Sequence, residues 1–429
     1  MIEPREKTWF GQPRGLTILF LTEMWEFFSY YGMRTLLVYY MTKHLLFAQE
    51  KSSFIYGSYT ATAYLMPIFG GIVADRWLGK RKAVIAGGSI MAIGHFMMAF
   101  ESLFYPALSA IAVGNGLFLP SLPSQINDLY EAGDPRRGRA YNIYYAGINL
   151  GGMLAPLICG TLGEVYGWHY GFGAAGVGMF IGLAVYVAGG AYLPTQTVQP
   201  RCVKQPLRTN SNDRKLVLLL FAVAIATTVF RGAYEQIGNT IPLWTDIGVN
   251  RALGRFVIPM TWFQGLNPLL VIALTPALLL VWRRHGKETP PARKMAIGAT
   301  IVSAAYLLLA VISTLAGSSR AHWFWLVLFF VVLTTGELYI LPTGLGLFAR
   351  LAPPRLGATT VASWFLTIFS GSLLAGVVGT LWSRINHQLF FVVLAGLALF
   401  AGFCLWLLEK PIRELRGFSY EMPQFSDWD

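Results

Sequence analysis

The sequence predicts an all-α integral membrane protein with 12 transmembrane helices in two six-helix bundles. Hydrophobic residues make up 55% of the 429 residues and charged residues only 13%, whereas a soluble domain carries about 25% charged residues. Apolar runs long enough to cross a bilayer recur along the whole chain. We place their starts near residues 16, 52, 82, 104, 138, 168, 215, 253, 295, 322, 356 and 386.

The positive charge of the chain indicates topology and not nucleic-acid binding. The net charge is +12, and 25 of the 33 Lys and Arg residues fall in segments on one predicted side, against 6 in the opposite loops. This asymmetry follows the positive-inside rule. We therefore predict an inner (plasma) membrane protein with both termini in the cytoplasm, and no nucleic-acid partner.

One polar stretch divides the predicted helices equally. Residues 195–214 (PTQTVQPRCVKQPLRTNSND) are the longest polar interruption before the C-terminal tail. They predict an N-terminal six-helix bundle over 1–194, a cytoplasmic linker over 195–214, a C-terminal bundle over 215–410 and a cytoplasmic tail over 411–429. Such a layout fits transporters whose substrate site lies between two bundles.

The first predicted helix carries a polar face. Glu23, Glu26, Tyr30 and Arg34 fall within an arc of roughly 80° at about 100° per residue. Ionisable groups at membrane depth are costly and persist mainly where function needs them. The pattern predicts that this helix lines an internal aqueous cavity.

Residues 71–82, G-I-V-A-D-R-W-L-G-K-R-K, resemble the cytoplasmic loop signature of the major facilitator superfamily. The resemblance implies the major facilitator fold, and these cations either change contacts between conformations or only fix topology. The matching residues are Gly71, Asp75, Arg76, Gly79, Lys80 and Arg81.

Five further stretches together resemble the proton-dependent oligopeptide transporter family of that superfamily. They are E-M-W-E-F-F-S-Y-Y-G (23–32), Y-Y-A-G-I-N-L-G (144–151), F-R-G-A-Y-E-Q-I-G-N-T (230–240), W-F-Q-G-L-N-P (262–268) and G-E-L-Y-I-L-P (336–342). The resemblance spans both halves. It implies a secondary active transporter working by alternating access, with proton symport of short peptides or peptide-like amine-bearing compounds.

Four acidic residues lie well inside apolar spans: Glu23, Glu26, Glu235 and Glu337. A carboxyl buried there can bind and release a proton as its surroundings change, so we predict proton coupling through Glu23, Glu26 and Glu337. Arg34 and Glu235 lie at similar depth, at roughly 1.5 Å per residue along their helices. We predict that they form a gate ion pair, the alternative being that each is satisfied within its own half.

The chain departs from the family pattern at two cationic positions. Phe27 stands at the first-helix arginine position and Leu119 at the fourth-helix lysine position before Pro120. The resemblance implies that both missing cations would contact a peptide carboxylate. Four acids then face two bases, Arg34 and Arg231, an imbalance relieved by protonation or a bound cation.

Two interpretations follow from these departures. In the first, Arg231 replaces the lost cations and the chain imports peptides with protons. In the second, the chain transports or exports a non-peptide cationic or amine metabolite, with altered or absent proton coupling. Arg231 has a third possible role, an intrahelical ion pair with Glu235 four residues on.

The predicted substrate-binding residues are polar or charged side chains at family cavity positions, which could instead join helices. His95 also matches a family position, and we expect it to hydrogen-bond between helices and not to bind substrate. We expect no enzyme activity, because no nucleophile motif or intramembrane aspartate pair appears. We expect no metal or cofactor, and a monomer in the lipid bilayer whose partners are protons and a small molecule. The substrate-binding set is Tyr30, Tyr31, Tyr64, Asn149, Arg231, Asn267 and Glu337.

Overall fold

The computed structural model describes residues 8–9, 11–131, 134–194, 211–284, 289–351 and 357–414. These residues are almost entirely helical, with twelve long helical segments. The fold is that of an all-α membrane protein, as the sequence predicts. Most of the predicted linker, 195–210, and the end of the predicted tail, 415–429, lie outside the described residues.

The first half of the chain supplies six of these segments, and the predicted starts agree with them within three residues. Short π-helical turns follow α2 and extend α5, and Gly79 and Gly167 end them at φ 74° and 131°, conformations that suit glycine. The helices are α1 (Arg14–Lys43), α2 (Gln49–Val73), α3 (Lys80–Met97), α4 (Phe104–Ser124), α5 (Arg136–Ala155) and α6 (Trp168–Ala188).

The second half supplies the other six, with the seventh segment formed by two helices. That segment begins at Ser211, inside the predicted linker, and the last ends at Glu414, beyond the predicted bundle end. The helices are α7 (Ser211–Tyr234), α8 (Thr240–Gly248), α9 (Leu266–Arg284), α10 (Pro291–Ala316), α11 (Trp323–Leu351), α12 (Gly357–Gly379) and α13 (His387–Glu414).

The predicted eighth span, beginning near residue 253, is wrong at its start. Strands β4 (Ala252–Leu253) and β5 (Phe256–Val257) pair as a short antiparallel hairpin, turned by Gly254 at φ 63°. A 3-10 turn, Met260–Gly265, then leads into α9 at Leu266. The hydrophobic residues of the hairpin made the apolar run of the eighth span look longer than the helix is. The glycine at positive φ interrupts any helix at that point. The other strands are β1 (Thr8–Trp9), β2 (Gln12–Pro13), β3 (Val249–Asn250) and β6 (Ala321–His322).

Nine of the helical segments among the described residues are long and apolar enough to cross a membrane by composition alone. Helices α1, α2 and α3 have 30, 25 and 18 residues but are less apolar. In α1 the buried residues Glu23, Glu26 and Arg34 account for this difference. A helix that keeps charges on an inner face can still span a bilayer.

Contacts divide the chain into two compact units that differ from the two sequence halves. The first unit contains residues 1–37 and 65–202, and the second contains 38–64 and 203–429. The end of α1 and the first two-thirds of α2 therefore pack with the second half of the sequence. The predicted division into two six-helix bundles joined by a linker stays a prediction.

Close helix packing in the first unit positions the polar face of α1. A Cβ added at Gly151 would collide with the Met24 carbonyl oxygen, and one at Gly147 would lie 2.9 Å from the Phe20 ring. Only glycine permits α5 to lie this close to α1. Tyr144, one turn before Gly147 on α5, is thereby brought to Glu23.

Candidate functional site

Two buried carboxyls form the centre of the predicted site in the first unit. Glu23 and Glu26 are 1% and 2% exposed, three residues apart on α1, and close enough to repel each other when ionised. One oxygen of each makes no hydrogen bond, and no described residue forms an ion pair with either. Two buried carboxyls without ion pairs are groups whose charge depends strongly on changes in their surroundings.

Tyr144 is a site residue that sequence reasoning missed. Its side chain is buried and its hydroxyl faces Glu23, although the contact falls outside standard hydrogen-bond geometry. Tyr144 is the first residue of the 144–151 stretch that resembles the family pattern, and its place in that stretch could have indicated a functional role. The hydroxyl can donate to an ionised Glu23 and so assist the loss of a proton.

Aromatic rings occupy the α1 position where the family pattern places an arginine. The Phe27 ring stacks on Tyr31 at 5.8 Å and 30°, and Tyr30 meets Tyr31 edge-on at 5.6 Å. The guanidinium carbon of Arg34 lies 5.7 Å from the Tyr31 ring centroid, within cation–π range. Phe27 also meets Tyr30 edge-on at 6.4 Å, so it replaces a charge with ring contacts to two of the predicted substrate residues.

A second polar cluster lies in the second unit around Glu337 of α11. Glu337 is 7% exposed, and the Asn267 amide of α9 donates to its Oε2 at 2.5 Å and to Thr334 Oγ1 at 3.1 Å. The Tyr234 hydroxyl of α7 also hydrogen-bonds to Glu337. Two predicted residues, Asn267 and Glu337, are thus in direct contact.

Sequence reasoning missed Tyr234 and Thr334. Each lies three residues from a predicted member, Tyr234 after Arg231 and Thr334 before Glu337. That spacing places them on the same helix face as those members. The contact of Tyr234 and Asn267 with Glu337 joins three helices, so the sequence of any one of these helices could not predict it.

Arg231 and Glu235 form a buried ion pair next to this cluster. Arg231 Nη1 lies 3.1 Å from Glu235 Oε1, with side chains 7% and 5% exposed. The Arg231 charge also acts on Glu337, while its Nε makes no hydrogen bond. The cluster thus contains one cation and two carboxyls, and the intrahelical alternative from the sequence is the arrangement present here.

The two other predicted substrate-binding residues are Asn149 of α5 and Tyr64 of α2. The Asn149 side chain donates to the Tyr145 carbonyl oxygen of its own helix at 2.9 Å. Tyr64 is half-buried in the 38–64 segment of the second unit. The predicted ion pair between Arg34 and Glu235 joins residues of different units and stays a prediction.

The segment from the end of α1 through α2 is tied to the second half by polar contacts within the second unit. Asp246 accepts from Lys43 at 2.9 Å, from Arg251 at 3.2 Å and from Tyr39 at 3.2 Å. Glu50 pairs with Arg384 at 3.0 Å. The hydrogen bonds from Arg384 hold the pKa of the exposed Glu50 carboxyl below its ordinary value.

One face of α2 makes the closest of these contacts. Ser53 Oγ donates to Asn239 Oδ1 at 2.8 Å, and Gln49 Nε2 donates to the Gly379 carbonyl oxygen at 2.9 Å. Two turns along from Gln49, a Cβ on Gly57 would lie 2.5 Å from Gly376 Cα. The backbones of α2 and α12 therefore meet without intervening side chains.

His95 was expected to hydrogen-bond between helices, and that expectation is wrong. Its side chain is fully buried on α3, and neither ring nitrogen hydrogen-bonds to any described residue. Within the described ranges no cluster of three or more metal-ligating side chains occurs. The expected lack of a metal or cofactor stays a prediction.

Comparison with known proteins gives consistent matches along the chain. The POT family model matches residues 81–210 and 197–393, and the nucleoside H+ symporter model matches residues 16–129. The uncharacterized transporter YclF of Bacillus subtilis is 30% identical over 96% of this chain and 97% of its own length. The di-/tripeptide transporter of Lactococcus lactis subsp. lactis is 31% identical over 96% and 98%.

The solved structures agree with these relatives. A peptide transporter POT in complex with sulfate superposes with a TM-score of 0.89 at 29% identity. The match covers 96% of this chain and 97% of that one. Similarity to these proteins in sequence and in fold therefore extends along almost the whole chain.

Proposed function

The chain belongs to the POT family, and we propose that it carries out proton-coupled symport of short peptides or peptide-like amine-bearing compounds by alternating access. Family membership makes it a multi-pass membrane transporter and not an enzyme. Its Lactococcus relative is a di-/tripeptide transporter. The substrate class proposed for this chain follows from that likeness and from the polar cluster around Glu337.

The observation that carries the substrate proposal is the contact between Asn267 and Glu337. The amide donates to one carboxylate oxygen at 2.5 Å and so fixes the carboxylate for a positively charged partner. A substrate ammonium group would satisfy this carboxylate, since buried charges require a paired and hydrogen-bonded partner. Arg231, already paired with Glu235, would balance part of the remaining charge or contact the substrate carboxylate.

Proton coupling is proposed for Glu23, Glu26 and Glu337. All three carboxyls are buried, and Glu23 and Glu26 have no ion pair to a described residue. A change in solvation or in a neighbouring charge shifts the protonation of such groups. Alternating access supplies that change when one part of a transporter moves against another.

The gate and the topology complete the proposal. Arg34 and Glu235 would form an ion pair that breaks when the outer side opens. The contacts of Gly57 and Asp246 described above would break in the same step. The positive-inside asymmetry supports an inner-membrane location with both termini in the cytoplasm. We further propose that the chain acts as a monomer in the bilayer, with Tyr30, Tyr31, Tyr64 and Asn149 lining its cavity.

The amine-exporter alternative has no better support. Phe27 and Leu119 stand at the two positions where the family pattern has cations, but the Lactococcus relative and the sulfate-bound structure described above are peptide transporters. The alternative therefore becomes an outcome of the substrate test.

The test is uptake of a labelled alanine dipeptide into proteoliposomes with an imposed inward proton gradient. Competition by the N-acetylated dipeptide and by the dipeptide amide separates the two ends of the substrate. We expect accumulation that an uncoupler abolishes, with the N-acetylated competitor ineffective and the amide nearly as effective as the free dipeptide. Absence of gradient-driven uptake for every peptide tested would refute the proposed function.

A further inference from the structure

A groove on the second unit lies apart from the polar clusters. It has a volume of about 770 Å³ and runs between α10 and α13. Its lining includes Arg293 and Ile297 of α10, and Gly396, Phe400, Phe403 and Trp406 of α13. The three aromatic side chains are 58%, 54% and 55% exposed. On a membrane-spanning helix such an exposed apolar surface faces lipid.

The length and polarity of the groove fit one lipid acyl chain. The span from Gly396 to Trp406 is about 15 Å at 1.5 Å per residue, which is roughly half of a 30 Å hydrocarbon core. The Thr300 hydroxyl in the groove is already used, since it donates to the Ala296 carbonyl oxygen at 3.0 Å. The interior therefore offers apolar contact along the depth of one leaflet.

A single cation marks one end of the described lining. Arg293 is exposed in the first turn of α10, and no described residue forms an ion pair with it. Trp406 lines the same end, as expected for an indole at the membrane interface. Basic pockets between transmembrane helices on the cytoplasmic side bind anionic headgroups, and the charge asymmetry predicts that this end is cytoplasmic.

We propose that this groove is a binding site for an anionic phospholipid, with the headgroup phosphate at Arg293 and one acyl chain along Phe400 and Phe403. The lipid would stabilise the packing of α10 on α13 from the outside. Each cation near an anionic membrane surface contributes about 1 kcal/mol, or roughly fivefold in affinity. The site is independent of the proposed transport function.

The test uses the full chain in nanodiscs that contain brominated phospholipids, which quench tryptophan fluorescence on contact. Subtracting the signal of Trp406→Phe isolates Trp406. We expect brominated phosphatidylglycerol to quench Trp406 at about one-fifth of the mole fraction that brominated phosphatidylcholine requires. Arg293→Gln should remove this difference, whereas Lys82→Gln, which removes an exposed cation of α3 in the first unit, should keep it.

A second pair of variants tests the apolar part of the site. A Cβ added at Gly396 or at Gly173 of α6 would meet nothing within 4 Å, so both positions accept larger residues. Gly396→Leu should obstruct the end of the groove away from Trp406, so that an acyl chain no longer fits along its length, and should reduce Trp406 quenching by both lipids. Gly173→Leu should leave the quenching unchanged. Equal quenching by both lipids in the unmodified chain would overturn the proposal in favour of ordinary boundary lipid. No quenching of Trp406 would overturn it in favour of a protein partner or a second copy.

Discussion

Arg231 Nη1 lies 3.1 Å from Glu235 Oε1 in a buried ion pair within a single helical stretch. The Arg231 charge also acts on Glu337, so one guanidinium lies near two carboxyls and is paired with one of them. A buried pair is strongly coupled, because loss of one partner leaves the other charged in a poorly solvated place. The pairing makes the two residues a unit and gives the first prediction.

Arg231→Gln and Glu235→Gln should each lower stability by about 3–5 kcal/mol, since each leaves an uncompensated buried charge. The double variant should lose less than the sum of the two, because both charges are then absent. The measurement is thermal unfolding of the purified chain in one detergent. Additive losses would show that the pair is not coupled and that Arg231 acts on another partner.

Glu26→Gln should abolish uphill accumulation of a peptide while leaving exchange of substrate across the membrane. A glutamine cannot release a proton but keeps the size of the buried side chain, so binding and conformational change can persist. Proteoliposomes with and without a proton gradient separate the two activities. Glu131→Gln, at an exposed glutamate with no ion pair to a described residue, is the matched control. Undiminished accumulation by the Glu23, Glu26 and Glu337 glutamine triple variant would contradict this assignment.

The contact of Glu50 with Arg384 should make stability depend on pH in the acid range. Hydrogen bonds from Arg384 lower the folded-state pKa of Glu50 below its ordinary value of 4.5. The contribution of this ion pair to the free energy of unfolding is therefore fully present above pH 4.5. It is lost as the pH falls through the folded-state pKa of Glu50. We expect Glu50→Gln to lower the Tm at pH 7 and to have a smaller effect near pH 3.5. A constant difference at both pH values would mean that the ion pair is not responsible.

Several features of the site follow from the sequence because they depend on one helix at a time. The spacing of Glu23 and Glu26 predicts two carboxyls on one face, and both are buried together. The intrahelical pairing of Arg231 with Glu235 follows from their four-residue separation in the same way. These relationships need only the helical period.

Contacts between helices could not be read from the sequence. The hydrogen bonds of Tyr234 and Asn267 to Glu337 join three helices, and the approach of Tyr144 to Glu23 depends on glycine packing between α5 and α1. The start of the eighth span was misplaced because a hairpin with hydrophobic residues resembles a helix in composition. His95 shows the converse, since a polar residue inside a helix suggested a partner that is not present among the described residues.

Gly57→Val should weaken the packing of α2 against α12. An added Cβ at Gly57 would lie 2.5 Å from Gly376 Cα and 2.7 Å from the Ser372 carbonyl oxygen, and backbone atoms cannot give way as side chains do. We expect increased thiol labelling of a cysteine placed at Ser53 from the side that is predicted to be outside. Gly346→Val, where an added Cβ meets nothing within 4 Å, is the control. Equal labelling of both variants would show that this contact does not hold the segment closed.

Phe27→Arg with Leu119→Lys should shift substrate preference toward ordinary di- and tripeptides with free carboxylates. The change restores the two cations of the family pattern, and each buried charge-assisted hydrogen bond to a carboxylate contributes about 1.5–3 kcal/mol. An arginine at position 27 also lies four residues after Glu23, the orientation that favours an ion pair on a helix. The cost is the ring contact of Phe27 with Tyr31, about 0.5–1.5 kcal/mol.

The measurement for this double variant is competition for uptake between a free dipeptide and its amide. The unmodified chain should hardly distinguish the two, and the double variant should favour the free carboxylate by at least tenfold. Phe27→Met with Leu119→Met removes the same ring without adding charge and should behave as the unmodified chain does. If the unmodified chain already favours the free carboxylate to the same extent, Arg231 has become the carboxylate partner. Glu235 would then hold that guanidinium in place, and the chain would be a peptide symporter with relocated charges.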